Sequence, residues 1–340
     1  MIAELISLLV SFLTTLIITP FLMKFLKMSG IVGIDQHKKT KPILPTAGGI
    51  CVAFGIIAGL LTYIGITTFF FGGLNETLYL FVIISSILII TLVGIFDDLN
   101  VSSRKVMNKN EKDIRVGLPQ WIKPLLTLPA AIPLIVISVG HSTMALPFLG
   151  TIDFGIFFHL LLVPVGVVGA SNVINMLGGF NGSETGMGIV YMLALGIFAL
   201  LTGNSISVLF LIAAMALIGF VAYNWYPAKI LPGDSLTYLL GAVVVSGVII
   251  GNMERLGVVL LLPFIVEFFL KLRSGFRASS LGKLRSDGKL DPPYGKNIYS
   301  LTHLIMNIKP MTEKQIAVTL ILTELAVAVV GIYLVYFHFI

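Results

Sequence analysis

Thr77-Leu78-Tyr79-Leu80-Phe81-Val82-Ile83-Ile84-Ser85-Ser86-Ile87-Leu88-Ile89-Ile90-Thr91-Leu92-Val93-Gly94-Ile95-Phe96 runs without a charge and then meets Asp97-Asp98. A helix needs about 20 mainly apolar residues to cross a bilayer, and it satisfies its own backbone polar groups on the way. This stretch therefore reads as a membrane-spanning helix that ends on two adjacent acids. Working outward, the same pattern recurs at 2–23, 46–66, 121–139, 154–170, 186–202, 205–223, 235–252, 256–271 and 314–338, which with 77–96 predicts about ten spans. The 340 residues are 57% hydrophobic and 11% charged, against about 25% charged in a soluble domain. The expected fold class is an all-α, polytopic integral membrane protein, one domain over 1–340.

The first span begins with Glu4 and meets Lys24 and Lys27 at its far end, so it reads as a retained helix with its N-terminus outside. Cys51, the single cysteine, excludes a disulfide framework and reads as inert packing. Gly55 and Gly59, spaced Gly-x-x-x-Gly, read as a close helix contact.

A net charge of +6 could suggest a nucleic-acid partner, but its distribution says otherwise. If ten spans alternate, 21 of the 22 Lys and Arg residues fall on one side, with Arg255 opposite. The positive-inside rule makes that side the cytoplasm and puts both termini outside. The inner loops, 24–45, 97–120, 171–185, 224–234 and 272–313, are also the long ones. Elaboration on one side implies work on that side.

Four of these loops carry chemistry. Asp97 and Asp98 stand where a helix leaves the bilayer, a place where acids are costly and suit cation binding or proton acceptance. The bland alternative is a solvated helix end. Asn172 and Asn175 share a helical face, followed by the turn Leu177-Gly178-Gly179-Phe180-Asn181-Gly182-Ser183-Glu184. Amide oxygens bind hard cations and glycines admit a phosphate or base to the backbone, although Gly and Asn are also ordinary turn residues. Asp234 follows Asn224-Trp225-Tyr226-Pro227 and opens the next apolar helix, where a simple N-terminal cap competes with a functional role. Arg273, Arg277, Lys283, Arg285 and Lys289 suit phosphate recognition or, equally, lipid headgroups.

Of the remaining candidates, Glu267 is an isolated acid in an apolar run, and the five histidines form no ligand pair. No P-loop is present. Hard-cation ligands at three inner helix ends, with arginines on a fourth loop, fit metal-assisted chemistry on a phosphorylated substrate. A secondary transporter or channel with functional acids is the alternative, and it expects acids near the midplane and inverted repeats. A non-catalytic scaffold, its acids only capping helices, is the third.

At these same residues the chain resembles the polyprenyl-phosphate N-acetylhexosamine-1-phosphate transferases. The matching pieces, in order, are Lys41-Pro42 with Pro45-Thr46-Ala47-Gly48-Gly49, Gly94-Ile95-Phe96-Asp97-Asp98, Asn172-Val173-Ile174-Asn175, and Asn224-Trp225-Tyr226-Pro227 with Gly233-Asp234. The turn at 177–184 and Gly288-Lys289-Leu290 look like the dolichyl-phosphate branch, and Phe276-Arg277-Ala278-Ser279-Ser280 lacks the histidine motif of muramoyl-pentapeptide transfer. Thr46 stands where the eukaryotic enzymes tend to have Glu, and Ser279 where a second arginine is usual; the mixture suits an archaeal enzyme.

The resemblance implies transfer of GlcNAc-1-phosphate from UDP-GlcNAc to a polyprenyl or dolichyl phosphate, with release of UMP. It implies Mg2+, with Mn2+ as alternative, held by Asn175 and Asp234. Asp97 and Asp98 would position or deprotonate the lipid phosphate, and Lys123 would orient them. Gly179, Asn181 and Leu231 would contact the uridine, Asn172 the substrate, and Arg277 the pyrophosphate or sugar. The expected setting is the cell membrane, with the active site on the cytoplasmic face, a role in protein glycosylation or envelope glycan assembly, a homodimer, and no nucleic acid.

Overall fold

A computed structural model describes residues 2–73, 77–107, 121–146, 150–337 and 339. Among them the chain forms α1 (Ile2–Met28), a hairpin β1 (Val32–Ile34) and β2 (Ile43–Pro45), α2 (Gly49–Phe71) and α3 (Thr77–Met107). Two short helices, α4 (Ile122–Thr127) and α5 (Ile132–Val136), lead to the hairpin β3 (Thr143–Leu146) and β4 (Gly150–Asp153). Then come α6 (Val163–Met176), α7 (Ser183–Leu201), α8 (Ser207–Asn224), α9 (Gly233–Ile250), α10 (Glu254–Leu260) and α11 (Leu262–Leu272). The chain closes with β5 (Lys283–Leu284), β6 (Lys289–Asp291), α12 (Leu301–Ile308), β7 (Met311–Thr312) and α13 (Glu313–Tyr336). Residues 108–120, including Lys109, Lys112 and Arg115 of the predicted basic inner loop, lie outside the described residues.

Among the described residues, eight helices are long and apolar enough to cross a membrane. They coincide with eight of the ten predicted spans, at Ile2–Met28, Gly49–Phe71, Thr77–Leu99, Phe158–Met176, Ser183–Leu201, Ser207–Asn224, Gly233–Ile250 and Glu313–Tyr336. The other two predicted spans are broken helices. In 121–139, prolines at 124, 129 and 133 recur almost every turn, and a 3-10 turn at Leu128–Ala131 separates α4 from α5. In 256–271, Pro263 opens α11 just after the break at Leu261. Proline lacks the N–H that a continuous helix requires and clashes with the preceding turn, and hydropathy alone does not register that.

Glycines decide how the helices meet. The buried hydroxyls Ser7, Ser11, Thr15 and Thr19 form a stripe along α1. A Cβ at Gly55 would lie 1.9 Å from Thr15 Oγ1, and one at Gly59 would lie 2.9 Å from Ser11 Cβ, so the Gly-x-x-x-Gly pair does bring α2 onto α1. The central helix is α9, whose span is 83% buried against 22% for those of α1 and α13. Its first turn is gripped from two sides, since a Cβ at Gly94 of α3 would come within 2.3 Å of Ser235 Cα and one at Gly49 within 2.2 Å of Ser235 C. Gly241 gives α6 the same access further along. Cys51 is buried among apolar neighbours, as expected.

These contacts gather one set of helix ends. Leu231 donates its N–H to Pro45 O at 2.8 Å, and Gly48 donates to Leu231 O at 3.2 Å, so the β1–β2 hairpin sits beside the start of α9. Thr185 at the start of α7 bonds Asn224 at the end of α8 at 2.6 Å, and Asn224 holds Ile230 O at 2.9 Å. Ser280 reaches Met176 O at the end of α6 at 3.1 Å. Every loop predicted to face inward and described here meets at this end of the bundle.

Candidate active site

The N-terminus of α9 is the centre of that end. Pro232 precedes it and supplies no side-chain cap. The cap comes from α3, where Asp98 Oδ1 accepts the N–H of Asp234 at 2.9 Å and Asp98 Oδ2 accepts that of Ser235 at 3.1 Å. The unpaired N–H groups and positive dipole end of a helix are a favourable place for a carboxylate. Gly233, at φ +72°, leaves the room, because a Cβ there would lie 2.4 Å from Asp98 Oδ2. Asp98, expected to act on the lipid phosphate, thus has both oxygens committed to the backbone that carries Asp234. Asp234, for which a simple cap was the competing reading, is relieved of that role.

Lys123, one residue into α4, ties the acids together. Its Nζ lies 2.8 Å from Asp97 Oδ2 and 3.1 Å from Asp234 Oδ2. Asp97 is 1% exposed; its Oδ2 also accepts the Tyr238 hydroxyl at 2.8 Å, while the buried Oδ1 has no hydrogen-bond partner. Two carboxylates thus share one ammonium at the end of the bundle, and the third, Asp98, holds the helix that carries one of them. Asn175 joins them through Thr237, whose Oγ1 donates to Asn175 Oδ1 at 2.9 Å and to Asp234 O at 3.2 Å. Asn172 donates to Thr127 Oγ1 at 3.1 Å and to Val168 O at 2.8 Å, which fastens α6 to the end of α4.

Among the described residues no three His, Cys, Asp or Glu side chains are arranged to hold a metal ion. The donors do fit a hard divalent cation in kind, since Asn175 and Asp234 offer an amide and a carboxylate oxygen and Asp97 has one buried oxygen left over.

The glycine-rich turn lies beside this cluster. Gly179, at φ +95°, donates its N–H to Glu184 Oε1 at 2.6 Å. Asn181 is buried, with its N–H on Glu313 Oε1 at 2.9 Å and its Nδ2 on Asp35 Oδ2 at 3.0 Å. Trp225 covers Gly182. Arg277 is not drawn in; it is exposed, and its guanidinium has no partner among the described residues.

Its loop is nevertheless anchored. Glu267, fully buried, accepts from Leu301 N at 2.8 Å, Ser300 Oγ at 3.1 Å and Ser280 Oγ at 3.3 Å, with Lys271 Nζ at 3.6 Å. The isolated acid of the sequence is a latch for the last inner loop. His303 is buried there too, with Nε2 against Ser279 O at 2.9 Å and Nδ1 accepting Tyr299 N–H at 3.3 Å; burial pushes its pKa down to about 4. His37 and His303 are both packed inside the protein.

Sequence reasoning missed several members. Thr237 and Tyr238 follow Asp234 by three and four positions, the spacing of neighbours on one helix face, and could have been found from it. Asp35, Lys38 and Glu313 gave no such signal, since their partner is far along the chain. Glu324, in the middle of α13, is fully buried with neither carboxylate oxygen hydrogen-bonded.

Comparison with known proteins bears on this geometry. The profile described as Glycosyl transferase family 4 matches residues 80–252, the stretch that holds Asp97, Asp98, Lys123, Asn175 and Asp234. A Saccharolobus solfataricus protein, provisionally named UDP-N-acetylglucosamine–dolichyl-phosphate N-acetylglucosaminephosphotransferase, is 36% identical over 339 residues, covering 98% of this chain and 97% of its own. A Sulfolobus acidocaldarius protein with the same provisional name is 34% identical, covering 96% and 95%. The Dictyostelium discoideum protein of that name is 25% identical over 374 residues, covering 96% and 86%. The resemblance carried by the motifs is thereby confirmed over nearly the whole length, and the chain belongs to glycosyl transferase family 4.

Proposed function

We propose that the protein transfers N-acetylglucosamine-1-phosphate from UDP-GlcNAc to a polyprenyl or dolichyl phosphate and releases UMP, an early step of lipid-linked glycan assembly. The observation that carries this reading is the convergence of Asp97, Lys123, Asp98 and Asp234 at one end of the bundle. The relatives named for this reaction match along nearly their whole length. A membrane-bound acceptor and a soluble nucleotide sugar meet only at such an interface.

An oxygen of the lipid phosphate attacks the β-phosphorus of UDP-GlcNAc. The bond from that phosphorus to the α–β bridging oxygen breaks, and UMP leaves with the oxygen and its electron pair. A phosphate monoester, with a second pKa near about 6, is already largely ionised, so no protein base is required. Lys123 balances the acids and is placed to meet phosphate charge, while Asp98 acts by fixing the first turn of α9. Asn175 and Asp234 would hold Mg2+, or Mn2+, which when bound neutralises pyrophosphate charge. Gly179, Asn181 and Leu231 would line the uridine, Asn172 would support the same site through α4, and Arg277 would close on the pyrophosphate or sugar.

The membrane placement is part of the proposal. The broken helices at 122–136 and 254–272 make the fourth and ninth of ten passes, supported by the meeting of alternate helix ends at the site. Both termini then face outward and the site faces the cytoplasm, as the basic loops favour. A homodimer is retained from the family resemblance.

Glu324 is the observation among the described residues that favours a transporter, because an acid at midspan is a functional candidate by default. The deciding experiment mixes purified protein, radiolabelled UDP-GlcNAc, polyprenyl phosphate and Mg2+, and scores labelled lipid and UMP. Metal-dependent formation of both is expected. Absence of product with every UDP-HexNAc overturns the transferase reading, whereas full activity in Asp234→Ala overturns only the metal assignment.

A further inference from the structure

Asp35 and Lys38 of the first inner loop and Glu313 at the start of α13 form a cluster that the proposed reaction leaves unused. Asp35 and Glu313 are 5% and 3% exposed, and both bind one residue, Asn181. Lys38 stands between the two acids, 3.3 Å from Asp35 Oδ2 and hydrogen-bonded to Glu313 Oε2, with its ammonium 4.1 Å over the Tyr226 ring. Carboxylates removed from water must be paired and hydrogen-bonded. Here one lysine, one side-chain amide and one backbone N–H share that task.

The turn they hold closes on itself across residues 181 and 182 with one backbone hydrogen bond, Ser183 N–H to Phe180 O at 3.0 Å. Gly179 and Gly182 flank it at φ +95° and +82°, and glycine accepts many conformations. Glu184 fixes Gly179 from inside the turn, and Glu313 and Asp35 add a hold on residue 181 from outside it. His37 extends the hold, stacking on Phe180 with ring centroids 4.7 Å apart and accepting the Gly282 N–H at 3.2 Å. Through His37 the turn is registered against the loop that carries Arg277.

We infer that Asp35, Lys38 and Glu313 are positioning residues of the nucleotide pocket, a clasp that presets the Gly179–Asn181 turn for a uridine nucleotide. The inference rests on the proposed function, in which that turn meets the uridine. The clasp depends on a neutral amide at 181. An aspartate there would set two like charges at the present Asn181–Asp35 spacing. Exchanging the pair instead, so that an amide at 35 donates to a carboxylate at 181, restores the hydrogen bond with the total charge unchanged.

The test measures UMP and UDP-GlcNAc affinity by calorimetry on the full-length protein in detergent, together with KM for each substrate. N181D is expected to weaken nucleotide binding about tenfold or more, equivalent to about 1.4 kcal/mol, with KM for the lipid acceptor unchanged. The double variant D35N/N181D is expected to recover most of that loss, and Glu313→Gln to raise KM for the nucleotide sugar more than it lowers kcat. Wild-type affinity in N181D, or a double variant no tighter than N181D, overturns the clasp. If N181D does not fold, a double variant that folds and binds supports it, and one that also fails to fold overturns it. A wild-type protein that binds no uridine nucleotide overturns the proposed function instead, so the two failures are distinct.

Discussion

The carboxylate of Asp98 caps the helix that carries Asp234, accepting the Asp234 N–H at 2.9 Å. Asp98→Ala removes this bond and the one to Ser235 together. A lost cap with charge-assisted hydrogen bonds costs roughly 1–3 kcal/mol. Thermal unfolding in detergent should show a lowered Tm alongside lost turnover, with Asp98→Asn milder because it keeps one acceptor oxygen. An Asp98→Ala protein with wild-type Tm and no activity would return Asp98 to the substrate.

Lys123 bridges Asp97 and Asp234 at 2.8 Å and 3.1 Å. Lys123→Met leaves both carboxylates without their cation, and truncating one partner of a buried charge pair costs about 2–5 kcal/mol. Turnover should fall by about a hundredfold, by 1.36 kcal/mol per decade. Lys123→Arg should not restore it, because a planar fork does not replace a point charge set between two acids. Single-turnover kinetics of the two variants check this.

Thr237 donates to Asn175 Oδ1 at 2.9 Å and orients the amide expected to meet the cation. Loss of such a supporting hydrogen bond typically costs about 10–100-fold in metal affinity. Thr237→Val should raise the Mg2+ concentration for half-maximal turnover by about tenfold, with kcat recovered at saturating metal. An unchanged Mg2+ titration curve would remove Asn175 from the metal site.

His303 links stability to pH. Its folded pKa of about 4 lies below the ordinary histidine value of 6.5, so the unfolded chain takes up a proton first as pH falls. The contribution is therefore complete above about pH 6.5 and is lost as pH drops toward 4, with a slope of up to about 1.4 kcal/mol per pH unit. Tm measured between pH 7 and 4 should fall less steeply in His303→Gln than in the wild type. Parallel curves would show that another group carries the acid sensitivity.

Much of this was legible along the chain. Eight spans match helices, and the Gly-x-x-x-Gly pair packs as read, because hydrophobic length and residue size are local properties. The breaks in the two remaining predicted spans were not foreseen, since a hydropathy window counts proline as one more residue while the backbone counts a missing donor. Glu267 was legible as an unusual acid but not as a latch, because the groups it binds at 280, 300 and 301 lie beyond the helix that carries it.

The sequence by itself determined that the chain crosses a membrane many times, and which acids stand at helix ends. It also carried the ordered motifs of its family. Only the tertiary structure divided the labour between neighbours. Asp97 and Asp98 are adjacent, but successive helical residues point about 100° apart. One therefore meets Lys123 and Tyr238, and the other meets the start of α9. Those partners arrive on other helices, brought close where Gly94 and Gly49 let backbones touch, and no local pattern encodes that meeting.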